Sequence, residues 1–157
     1  MTGNDIIREQ LVQLVRGGNA HLGFSDAVKS FPAEFMNTKP PNVPYTPWHL
    51  LEHLRIAQWD ILEFTRSPDH VSPKWPEGYW PPVDAVADEK DWRKTLDSFN
   101  SDMKALEGIV QDRETDLQAE IPHAPGYTYL REILLVADHN AYHIGEFSIL
   151  RQIMGTW

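Results

Sequence analysis

Two histidines four residues apart, His139 and His143, lie in the run Asp138-His139-Asn140-Ala141-Tyr142-His143-Ile144-Gly145-Glu146. At about 100° per residue, Leu135, Val136, His139, His143, Glu146 and Leu150 share one sector of a helix. The pair is therefore set in an apolar stripe and not on a solvated face. A divalent metal takes two imidazole nitrogens from one helix at this spacing and needs at least one further ligand from elsewhere.

The further ligand is available in Thr46-Pro47-Trp48-His49-Leu50-Leu51-Glu52-His53-Leu54-Arg55-Ile56-Ala57-Gln58-Trp59-Asp60-Ile61-Leu62-Glu63-Phe64. Thr46 suits an N-cap, and Pro47 suits N1, where a missing N–H costs nothing. Leu50, Leu54, Ala57, Ile61 and Phe64 define the buried stripe of this helix. His53 lies on the stripe's edge with Asp60 two turns along the same line, whereas His49 lies further round, toward solvent. His53 is the favoured ligand. Asp60 either hydrogen-bonds a ligand histidine or marks the wet end of the helix. His49-Leu50-Leu51-Glu52-His53 also matches the inverted zincin peptidase pattern H-x-x-E-H, but that reading leaves the His139/His143 pair without a role. A di-iron Glu-x-x-His reading is set aside, because its one match, Glu120-Ile121-Pro122-His123, is interrupted by proline.

These side chains need helices to hold them, and the pattern supplies four. Ile6, Ile7, Leu11, Leu14 and Val15 recur at helical spacing before Gly17-Gly18 closes the first. Ser25 to Phe31 reads as a short helical turn capped by Ser25. The Pro-rich stretch from Asn37 to Pro47 leads into the second helix, which runs to about Arg66 and stops before Pro68. The third runs from about Asp88 to Gln111 with Trp92, Leu96, Phe99, Met103, Leu106 and Val110 on one face. After a linker, Glu120 to Tyr127, the fourth runs from about Thr128 to Met154. No alternating strand pattern intervenes, so the chain reads as an all-α bundle. Between the second and third helices, Pro73-Lys74-Trp75-Pro76-Glu77-Gly78-Tyr79-Trp80-Pro81-Pro82 can be neither helix nor strand. Its aromatic rings form either a strap across the bundle flank or a wall over the metal site.

The totals fit this reading. A chain of 157 residues makes about one domain, here positions 1–157. With no Cys there is no disulfide, thiolate site or cysteine nucleophile. Its 23 acidic residues against 14 basic give a net charge of −9 with no Lys/Arg cluster, which argues against nucleic acid as a partner. The stretch from Met1 to Gln10 has no apolar signal core, and no run has the length of a membrane span. A cytoplasmic protein is expected.

Leu50-Leu51-Glu52-His53-Leu54, His139-Asn140-Ala141-Tyr142-His143-Ile144-Gly145 and Leu150-Arg151-Gln152-Ile153-Met154-Gly155 carry a resemblance. In their order and separation the chain resembles the DinB superfamily of DinB/YfiT-like metalloenzymes. The resemblance implies a four-helix bundle with His53, His139 and His143 as ligands of one divalent metal, zinc or nickel, and a homodimer. It also implies enzymes that activate a small thiol, as in thiol-dependent transferases and isomerases, or that hydrolyse through activated water. One departure stands out: Glu146 replaces the Gln of the family's His-x-Gly-Gln, and its carboxylate is expected to complete the metal shell or to act as a base. Closing the shell would leave a stress-related metal-binding protein without catalysis. Arg151, two turns along the ligand line, suits either a substrate carboxylate or an ion pair. Gly145, costing about 1 kcal/mol against Ala inside a helix, suits tight packing or a close ligand. His21, His70 and His123 read as solvated.

Overall fold

The computed structural model describes residues 3–157, so Met1 and Thr2 of the polar N-terminal stretch lie outside it. The chain is mainly helical. Four long helices, α1 (Gly3–Arg16), α3 (Pro47–Arg66), α4 (Glu89–Gln111) and α5 (Tyr129–Met154), are joined by a short helix α2 (Phe24–Val28), two 3-10 turns and a small hairpin. Helix α3 packs on α4 and α5, and α1 closes against α4 and α5 from the other side. Among the described residues no helix is long and apolar enough to cross a membrane.

The helix ends follow from local chemistry. The Thr46 hydroxyl accepts the His49 N–H, with Pro47 at N1, and Asp88 accepts the N–H groups of Lys90 and Asp91. Thr128 does the same for Arg131 at the start of α5. Gly155, left-handed at φ 63°, ends α5, and Gly17 and Gly18 at φ 67° and 83° end α1, conformations in which a Cβ is strained.

The core divides along the bundle. Leu50, Leu51 and Leu54 of α3 meet Phe99 of α4, Ile144, Phe147 and Leu150 of α5, and Phe24 and Ala27 of α2. Phe24 stacks on Phe99 at 3.8 Å. Further along, Leu11, Val12 and Val15 of α1 pack with Val110, Ile133 and Ala137.

Several expectations are corrected here. Ser25 lies inside α2, whose N-cap is Gly23 and has no side-chain cap. The linker before α5 holds a two-stranded antiparallel hairpin, β1 (Glu120–Ile121) with β2 (Ala124–Thr128), too short to show alternation in sequence. In α1, Ile6, Ile7 and Leu14 are exposed, while Arg8 is buried. The Arg8 guanidinium donates to the carbonyls of Val110, Asp112 and Thr115, meeting the electronegative C-terminal end of α4.

Candidate metal centre

Helix α3 sets His53 in its second turn, and α5 delivers His139 and His143 one turn apart on the side that packs against α3. The three rings converge edge to face, with centroids 4.5–5.0 Å apart. His53 Nε2 lies 3.2 Å from His143 Nε2 and 3.2 Å from His139 Nε2.

Those nitrogens cannot satisfy one another. The Tyr79 carbonyl can only accept, so His53 Nδ1, at 2.8 Å, carries the proton, and His53 Nε2 is a bare lone pair. His143 Nδ1 donates to Glu146 Oε2 at 2.6 Å, which leaves its Nε2 bare as well. Two lone pairs then face each other at 3.2 Å. A cation between them removes the conflict: two imidazole nitrogens held at about 2.0–2.1 Å from one metal, at about 109°, lie about 3.3 Å apart. His53, His139 and His143 thus form a group that fits one divalent ion.

The electrostatics agree. Burial, followed by the charge of His53, holds His139 down to about 4. Burial, followed by the charges of His139 and His53, holds His143 down to about 3. Burial also lowers His53, opposed by its bond to Tyr79. His139 and His143 are therefore neutral near pH 7, as ligands must be, and burial biases His53 the same way. His139 Nδ1 is buried without a hydrogen-bond partner.

The residues behind the ligands were legible only in part. Glu146 is on the Nδ1 side of His143, away from the converging Nε2 atoms, and it does not line the adjoining cavity. Burial pushes its carboxyl up. Asp60 hydrogen-bonds no ligand histidine. It accepts the Tyr79 hydroxyl at 2.5 Å and His70 Nε2 at 2.7 Å, and burial with this bond pushes the Tyr79 hydroxyl up to about 12. Glu146 therefore stands directly behind His143, and Asp60 stands two steps behind His53, through Tyr79.

The aromatic loop both straps and walls. Trp80 lies flat on His53 at 4.0 Å and 3° and also stacks on Tyr45, while the preceding carbonyl fixes His53. Trp75, 69% exposed, stands at the rim. Tyr79 is expected at the site only as an aromatic ring of the loop, and His70 is not expected there. A tyrosine acting through its backbone carbonyl leaves no trace in residue type.

Other histidines are placed differently from expectation. His49 is 3% exposed, because the segment around Ala85 folds over it. Its Nε2 donates to the Ala85 carbonyl at 2.8 Å and its Nδ1 accepts the Thr46 N–H at 3.5 Å, so neither nitrogen is free. Glu52 is held by Arg55 and Thr95, and the H-x-x-E-H residues do not assemble a site. The His70 side chain, 8% exposed, sits on Asp60 and is not solvated, whereas His21 and His123 are exposed. Leu135 faces the cavity rim, 37% exposed, and not the core. A Cβ at Gly145 would meet nothing within 4 Å, so tight packing within the chain does not explain it. Arg151 is not brought to the triad: its guanidinium donates to the Ala27, Lys29 and Thr156 carbonyls and lies over Trp157, tying α2 and the C-terminus to α5.

Beside the triad is a cavity of about 480 Å³, lined by His53, His139 and His143 with side chains from α3, α5 and the aromatic loop, a size suited to a small molecule. Residues 23–147 match the family model of the DinB superfamily. Searches of curated proteins and of solved structures give no match. The chain belongs to the DinB superfamily.

Proposed function

We propose that this member of the DinB superfamily is a metal-dependent enzyme, a four-helix bundle of the DinB/YfiT type. In it His53, His139 and His143 hold one zinc or nickel ion beside a substrate cavity. The observation that carries the reading is the set of bare Nε2 atoms 3.2 Å apart with their tautomers fixed from behind. A divalent cation on three imidazoles supplies a Lewis-acidic open position at which a thiol or a water gives up its proton near neutral pH.

The chain's own residues prepare that position. The Tyr79 carbonyl and Glu146 keep the Nδ1 protons of His53 and His143 in place, so both rings present Nε2. Glu146 also offsets the positive charge that His143 acquires on coordination. Asp60 and His70 hold the Tyr79 ring, and with it the carbonyl that orients His53. Trp80 covers one face of His53 and excludes water there. Since Glu146 lies behind His143, it supports an open coordination position and not a closed, non-catalytic shell.

The test is a cobalt-substituted sample followed by visible absorption. Addition of a small thiol should produce a sulfur-to-cobalt charge-transfer band, and azide should perturb the ligand-field bands. A spectrum indifferent to both would mean a closed shell and would leave a metal-binding protein without this chemistry.

A further inference from the structure

The cavity wall has a definite chemical character. Helix α5 presents Leu135, Asp138 and Tyr142 along one line, at i, i+3 and i+7, beside the line that carries His139 and His143. Across from them stand Ala57 and Ile61 of α3 and the rings of Trp75 and Tyr79, which meet each other at 5.4 Å. Three aromatic side chains and three aliphatic ones therefore surround the triad.

The charges on that wall have one sign. No Lys or Arg lines the cavity, and its two carboxylates are Asp60 and Asp138. Asp60 is occupied by Tyr79 and His70, whereas Asp138 is exposed and makes no hydrogen bond or ion pair among the described residues. Trp75 and Tyr142, 69% and 72% exposed, leave large ring surfaces in water at the same mouth. Aromatic faces attract cations, and a carboxylate beside them adds a charge partner. Away from the metal position, a thiol or acid bearing several carboxylates would find only repulsion and apolar surface on this wall, on a chain of net charge −9.

We infer that the cavity takes an organic cation: an amine or quaternary ammonium group on an apolar body, its charge beside Asp138 among Trp75, Tyr79 and Tyr142. The uncharged reactive end then faces the three Nε2 atoms. Calling this occupant the substrate rests on the metal-dependent activity proposed above; the binding preference itself does not.

The experiment is calorimetric titration with benzyltrimethylammonium, benzyl alcohol and phenylacetate, on protein loaded with zinc and on chelator-stripped protein, with metal content measured in each sample. The expected result is that the cation binds about tenfold more tightly than benzyl alcohol in both forms, and more tightly than phenylacetate in the stripped form. Asp138→Asn should weaken the cation about fivefold and leave benzyl alcohol unchanged, and Trp75→Ala should weaken both. Both side chains are exposed, so neither change disturbs the core. Phenylacetate matching the cation in stripped protein, or an Asp138→Asn variant that binds the cation as wild type does, would overturn the inference. A protein that fails to take up zinc yet still selects the cation would sink the metal reading alone.

Discussion

Replacing Glu146 tests how the residues behind the ligands contribute. Its Oε2 accepts the His143 Nδ1 proton at 2.6 Å, and its side chain is 28% exposed. A carboxylate partner of a ligand histidine is worth roughly 10–100-fold in metal affinity, or about 1.4–2.8 kcal/mol. Water can reach this carboxylate and partly replace it, so the lower end applies. Glu146→Ala should weaken zinc about tenfold, about 1.4 kcal/mol. Glu146→Gln keeps an acceptor oxygen but loses the charge, and should weaken zinc about threefold. Competition against a chromophoric chelator measures both, with thermal melts confirming that the variants fold. Wild-type affinity in Glu146→Ala would refute the reasoning, and a loss beyond about a thousandfold would make the carboxylate a direct ligand.

Other outcomes follow from the same geometry. His53→Ala should abolish most metal binding. His49→Ala should retain it while lowering stability by about 1–3 kcal/mol, because it opens the cap of α3 and leaves the Ala85 carbonyl without its partner; chelator competition and denaturant melts separate the two. Asp60→Ala should weaken metal severalfold through Tyr79, and Tyr79→Phe should do so by less, since the carbonyl that holds His53 remains; the same chelator assay ranks them. In metal-stripped protein, His139 and His143 stay neutral down to about 4 and about 3 while the unfolded chain takes up protons near 6.5. The unfolded state then binds more protons in that interval, so stability rises with pH and is lost as pH falls from about 6.5 toward 4. For His139 alone the loss is on the order of 3 kcal/mol. Urea melts of stripped protein from pH 7 to pH 4 measure it, and a flat profile would contradict the shifts.

The ligand set was legible because metal chemistry and helix periodicity constrain the same residues: i, i+4 histidines within an apolar stripe, with a third on a well-capped helix. The boundaries of α3, α4 and α5 were legible for a similar reason, since Thr46-Pro47, Asp88 and Thr128 are start signals with a local mechanism. What escaped depends on chain segments distant in sequence. His49 is buried only because the segment around Ala85 crosses it, and the His70 side chain is covered only because it reaches Asp60 and Trp59. Arg151 sits on the expected helix but is turned to carbonyls that α2 and the C-terminus bring within reach. Periodicity gives the face of a helix, not what a loop lays against it.

The most direct test of the central claim is elemental analysis of the purified protein by mass spectrometry. The account predicts about one zinc or nickel per chain in the wild type, and close to none in the His139→Ala/His143→Ala double variant. Stoichiometric metal surviving in that variant would contradict it.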